Sequence, residues 1–235
     1  MNVVSHTRYV YRTQGPRANV SKLISWPADK SGGYPLKIMG GLRLASVMAV
    51  LLLPLRAQDS GRLTFRVLVS ELGRQTSSFA KNKRPEDVAG VTLPGSLFDP
   101  PHGVALIERS QADWSAPELV IASIRSANTA GDPEWIVQNF VPAERAGIQK
   151  MLADSPIAKR NQDYYKTVLK SHITGSAQLR DLTLMFVREE SDGGTARVVP
   201  VTLAKTSSGW KQTNILSNDD TFDVVWMALR SGTVK

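Results

Sequence analysis

The 235-residue chain has no cysteine. That excludes a disulfide framework, a thiolate nucleophile, a thiolate metal ligand and a lipidated cysteine. Histidine is nearly as scarce: His6, His102 and His172 are dispersed, with no His-Glu-x-x-His spacing to hold zinc. No Gly-x-Ser-x-Gly elbow, phosphate loop or dinucleotide fingerprint occurs, so no motif calls for a metal or a cofactor. Internal repeats are absent, and the one apolar run, Leu44 to Leu55, falls short of the roughly 20 residues a spanning helix needs.

Acidic residues are what the first quarter lacks. Residues 1–57 carry eight basic side chains and one acidic, whereas the rest carries 21 basic against 20 acidic. The formal charge of +8 therefore belongs almost wholly to the leader and signal, which carry +7 of it. A nucleic-acid binder needs its cations on the folded part, where they neutralise phosphates, and this chain is not expected to bind nucleic acid. Lys81, Lys83 and Arg84 form a small cluster, but Glu86 and Asp87 follow at once, as on a solvated loop.

Leu44 to Leu55 lies between Lys37 and Arg43 on one side and Arg56-Ala57-Gln58 on the other. Positive flank, short apolar core and small residue make the layout of a secretory signal, which places the protein outside the cytoplasm, periplasmic or secreted. Residues 1–38 read as a polar, aperiodic leader. With a start at Met39, residues 39–57 have ordinary signal proportions and cleavage falls near Ala57, although Leu55 is larger than the residue usual at that place. The alternatives are an uncleaved anchor over 44–55 or a buried core segment; an anchor would put the protein on a membrane.

Residues 58–113 read as an extended arm with one or two short strands. Leu63 to Val69 alternates as a half-buried strand, Gly73 to Gly103 is full of breakers (Pro85, Pro94-Gly95, Pro100-Pro101), and Val104 to Ile107 has strand composition. Residues 114–235 carry sharper signals. Ser115-Ala116-Pro117-Glu118 has the spacing of a capping box, followed by Val120, Ile121, Ile124 and Ala127 on one helix face, with Gly131 to end it. Asp132-Pro133-Glu134 caps a second helix, and Ser155-Pro156 opens a third with Ile157, Tyr164, Tyr165, Val168 and Leu169 at helical spacing. The period then falls to two: strands are predicted over Leu179 to Glu189, Arg197 to Lys205 and Trp210 to Leu216, joined by short turns that force antiparallel pairing. Asn218 or Asp219 caps a last helix bearing Phe222, Val225, Trp226 and Leu229.

This succession resembles the nuclear transport factor 2-like superfamily over residues 114–216. Ser115 to Ala127, Gly131-Asp132 and Phe140 are similar to its opening helices, and Gly209-Trp210-Lys211 to the turn before its late strand. The resemblance implies an α+β cystatin-like cone: three N-terminal helices packed on a curved antiparallel sheet, here with an added C-terminal helix, and an apolar pocket at the wide end. It also allows a homodimer through the open face of the sheet. Members include ketosteroid isomerase, scytalone dehydratase and polyketide cyclases beside modules that only bind, so the fold does not choose the function.

An isomerase of this shape needs an inward carboxylate as base and a donor for the enolate. Leu182 to Val187, Val198 to Ala204 and Trp210 to Leu216 contain no acid, and the concave lining is expected to carry none. The catalytic candidates are Tyr164 or Tyr165 as donor and Asp181 or His172 as base. Against these roles stand a core tyrosine, a solvated strand end and a loop histidine. Trp135, Tyr164 and Trp210 are the ligand-contact candidates; large aromatics at such spacing are ordinarily core. The expectation is an exported binding domain for a small apolar ligand or a protein partner. The alternatives are a lyase or isomerase acting in the cone and a membrane-anchored envelope protein with a cytoplasmic leader.

Overall fold

The computed structural model describes residues 61–73 and 77–235. The leader, the signal and the proposed anchor lie outside the described residues. Within them no helix is long and apolar enough to cross a membrane.

Two strands come first: β1 (Arg62–Leu68) and β2 (Val88–Gly103). Helices α1 (Pro117–Ala130), α2 (Pro133–Gln138), α3 (Arg145–Leu152) and α4 (Ser155–Thr167) follow, then β3 (Val168–Leu179), β4 (Leu182–Ser191), β5 (Ala196–Thr206), β6 (Gly209–Gln212) and α5 (Asp220–Ser231). All six strands form one antiparallel sheet in sequence order. This overturns the expected layout of three N-terminal helices leading into the sheet as a cystatin-like cone. The chain enters the sheet through β1 and β2, helices α1 to α4 are a long insertion between β2 and β3, and α5 follows the last strand.

The segment read as a breaker-rich arm is extended, as its prolines require, but it is hydrogen-bonded into the sheet. Pro100 and Pro101 fit because β2 bulges: Leu97 pairs with Gly175 and His102 with Ile173, so residues 98–101, with a cis Asp99–Pro100 bond, loop out of the ladder. Val104 to Ile107 is irregular rather than a strand. Helix α4 passes into β3 without a loop, so Val168 and Leu169, read as the end of a helix, open a strand instead.

Each face of the sheet carries its own core. On one, Val224, Val225, Ala228 and Leu229 of α5 pack on Phe65, Ala177, Leu184 and Phe186. On the other, Val120, Ile121 and Ile124 of α1 pack on Ile173, Met185, Val187 and Leu203. A bulge in β3, where Ile173 faces Val187 but Gly175 faces Phe186, moves Ile173 to the α1 side and Ala177 to the α5 side. The sheet edges are covered. Thr64 exchanges backbone bonds with Lys235 beside β1, and Gln212 bonds Asn139 and Val141 beside β6. Strand β6 pairs only with Leu203–Thr206 of β5, so Pro200 lies beyond its reach and breaks no ladder there.

Asp132 and Asp219 cap α2 and α5, accepting from the amides of Trp135 and Phe222, and Gly131 ends α1 in the left-handed conformation. The capping box at Ser115 does not form. Ala116 takes the cap position of α1, while the Ser115 amide donates to Asp113.

Candidate functional site

A row of side chains crosses the sheet on the α1 side: Ser171 of β3, Glu189 of β4 and Arg197 of β5 are register partners. Because α4 runs straight into β3, Tyr164 is set above this row. Its hydroxyl donates to Glu189 Oε2 at 2.5 Å, and Arg197 Nε donates to the same oxygen at 3.0 Å. The Arg197 guanidinium also lies 3.9 Å from the centre of the Tyr164 ring. Glu189 is only 6% exposed. Burial, followed by the bond to Glu189 and its negative charge, pushes the Tyr164 phenol well above its ordinary range, with Arg197 opposing in part. Tyr164 is therefore a fixed, protonated donor whose proton is already engaged.

Beside this row sits a second cation. Arg125, on α1 and 8% exposed, donates from one terminal nitrogen to the Val104 carbonyl at 2.6 Å and from the other to the Leu169 carbonyl at 3.1 Å. It thereby ties the exit of β2 to the entry of β3. Burial pushes its guanidinium down from the usual arginine range, and the Glu189 carboxylate partly opposes that. Arg125 Nε and Ser171 Oγ are buried without hydrogen-bond partners. Both residues line a cleft of about 420 Å³ together with Gly103 at the end of β2, Val104, Ala105, Leu169, Lys170 and His172. A second cleft, of about 470 Å³, lies among the helices against Asn128, Gly131, Pro133, Lys159 and Gln162.

A third polar group is largely internal, with Ser123, Trp135 and Asn139 buried and Trp114 half-buried. Trp135 Nε1 donates to Ser123 Oγ at 2.8 Å, and Ser123 Oγ and Trp114 Nε1 donate to Asn139 Oδ1 at 2.7 and 2.9 Å. Lys211, 4% exposed, caps this network with its ammonium 3.7 Å from the Trp114 ring centre and donates to the Gln138 carbonyl at 3.1 Å. Burial and then the Arg145 charge push the Lys211 amine down to about 8. Among the described residues no carboxylate forms an ion pair with it.

Of the residues singled out in the sequence, Tyr164 and Tyr165 pack edge to face, 5.3 Å apart, and Tyr164 is bonded to the buried Glu189. His172 is half-buried at the cleft, adjacent in β3 to Ser171 and so directed to the opposite face from Glu189. Asp181 is exposed in the turn before β4, at the opposite end of that strand from Glu189. The structure does not bring Asp181 to the tyrosines. Trp135 is core, Trp210 is half-buried with Lys205 5.9 Å from its ring, and neither lines either cleft. The expectation that the inner lining carries no acid is overturned by Glu189. Arg125, Arg197 and Lys211 were also missed; the alternation Thr183, Met185, Val187, Glu189 was the one available signal for the acid.

No protein-family model and no curated protein matches this chain. Among solved structures, a SEC-C motif-containing protein from Rhodopseudomonas palustris is 19% identical over 42% of this chain and 75% of its own, with a TM-score of 0.30. A likeness of that size carries neither fold nor function across, and it does not bear on the resemblance to the nuclear transport factor 2-like superfamily.

Proposed function

We propose that this is an exported module that binds a protein partner and performs no chemistry of its own. The observation that carries the reading is the closure of the acid–tyrosine pair. A proton-transfer enzyme needs its base and its donor turned toward a substrate, whereas Glu189 Oε2 is taken by both Tyr164 and Arg197. Neither described cleft is lined by Tyr164 or Glu189. A small apolar ligand is disfavoured on similar grounds: the apolar faces of the sheet are filled by α1 and α5, and charged and amide groups border the clefts. Export rests on residues 39–57, whose charge and apolar pattern is that of a secretory signal.

The test is α-proton exchange in deuterated buffer, followed by proton NMR on acetone, cyclohexanone and 2-cyclohexenone. No exchange above buffer is expected for the protein or for Tyr164→Phe. Catalysed exchange that Tyr164→Phe or Glu189→Gln abolishes would replace this reading with the lyase or isomerase one. Fusion of residues 39–57 to alkaline phosphatase tests export; an inactive, cytoplasmic fusion overturns that part.

A further inference from the structure

The geometry points to the cleft between the exit of β2 and the entry of β3 as a binding site for the free carboxylate of a polypeptide C-terminus carrying an apolar side chain. This rests on the binding reading above and names the chemistry that the binding would use.

The cleft is cationic and contains no acid. Its borders are Gly103, Val104, Ala105, Arg125 and residues 169–172, with the cations Arg125 and Lys170 among them. Arg125 is the main observation. A guanidinium has five N–H donors, and the structure spends two contacts on the Val104 and Leu169 carbonyls while Nε has no partner. A buried cation with unspent donors is costly unless an anion completes it. Ser171 adds a second unpartnered donor on the same border.

Glu189 acts on Arg125 through its charge, but no neighbouring acid among the described residues makes a direct bond to it. Glu189, the register partner of Ser171, is held by Tyr164 and Arg197, and Glu190, across from Lys170, pairs with Arg188 at 3.2 Å. The arrangement thus leaves net positive charge facing the cleft, and a planar carboxylate suits the fork of an arginine.

The apolar half of the assignment comes from Leu169, which borders the cleft and is 63% exposed, and from Leu106, just past Ala105 and 54% exposed. Exposed leucines beside a buried cation fit a ligand with a charged end and an apolar flank. Backbone capture of a chain terminus is a known recognition mode, and Ala105, just past the backbone pairs that Gly103 and Val104 make with β3, borders the cleft.

The experiment uses the isotopically labelled chain and three probes: N-acetyl-Leu-Leu as free acid, the same dipeptide as its C-terminal amide, and inorganic phosphate. Chemical-shift changes are mapped at low salt. The free acid is expected to move amides of residues 103–106 and 169–172 and to bind about tenfold more tightly than the amide, a difference of about 1.4 kcal/mol. Lys170→Gln, which removes the charge at an exposed position without setting a second acid opposite Glu190, is expected to weaken the acid about twofold while leaving the thermal midpoint in place. Arg125→Lys, checked for folding by the same spectra, is expected to lose most of the preference for acid over amide. Equal binding of acid and amide, shifts confined to other residues, or phosphate saturating the same amides as tightly as the dipeptide would each overturn the assignment. Any of these leaves the α-proton exchange result untouched, so failure here is separable from failure of the binding reading.

Discussion

Lys211 offers the sharpest test of the energetics, because it is a cation sealed in the interior without an acid. Its native amine is held at about 8 against 10.5 for an unfolded lysine. Below pH 8 both native and unfolded chains carry the proton, and the native state bears the whole cost of the buried charge. Between about 8 and 10.5 the native amine is neutral while the unfolded one stays protonated, so the unfolded chain binds more protons and stability rises with pH. At about 1.4 kcal/mol per unit, that interval is worth about 3 kcal/mol. Lys211→Met keeps the buried methylenes and removes the titration. It gives up the bond to Gln138 and the contact with Trp114, so at pH 7 the variant is expected to be as stable as the parent or about 1 kcal/mol more stable. Urea unfolding of both proteins, followed by tryptophan fluorescence from pH 7 to pH 10.5, supplies the comparison, and other titrating groups cancel in the difference. The parent should gain on the variant by about 3 kcal/mol across the range. Parallel curves through pH 10 would refute the claim that burial controls this amine.

Coupling between Glu189 and Arg197 should show in a double-mutant cycle of Glu189→Gln and Arg197→Met: an interaction of about 2 kcal/mol is expected by urea unfolding, and a value near zero would mean the ion pair is already screened as at a surface. Ser123→Ala strands the Trp135 indole N–H and removes a donor to Asn139, so a loss of about 2 kcal/mol is expected, with neutrality contradicting the internal network. Gly175→Ala would put a methyl group 2.6 Å from the Ser96 carbonyl oxygen and 3.0 Å from the Phe186 ring, and should cost about 2 kcal/mol as a fall in thermal midpoint.

What could be read from the chain follows from how local each signal is. Asp132, Gly131 and Asp219 announce helix ends through bonds made within a few residues, and the structure places them there. Strands β4 and β5 are legible from the apolar run and the Gly-rich turn that separates them. Strand β3 is not legible, because its sequence, VLKSHITGSAQL, hides two irregularities. Register shifts at Val168/Lys170 and Ile173/Gly175 break the alternation, and Gly175 is small because Ser96 and Phe186 crowd that place. Strand β2 fails for a related reason: Pro100 and Pro101 sit in a bulge, where a missing donor costs no ladder bond, and Pro94 stands at the end of the ladder with β1. Missing these two strands also misplaced the helices, which look N-terminal only if the sheet is taken to begin at Leu179.

The site was hidden by the same covering of both faces that holds the sheet together. A strand with one wet face shows its inner residues by alternation, but every residue from Leu182 to Val187 is buried, with α5 on one side and α1 on the other. Alternation puts Glu189 on the face of Val187, but with both faces buried such a run does not say that this face encloses the acid. Only the partners decide: Tyr164, 25 residues earlier, and Arg197, eight residues later, both converge on its carboxylate. Arg125 is hidden in a different way, since it follows Ile124 on a helix whose residues 120–128 are nearly all enclosed except Ala122. A helix buried on more than one face ceases to advertise a polar side, and a charge inside it is explained by the ends of β2 and β3 that it fastens rather than by its own neighbours in sequence.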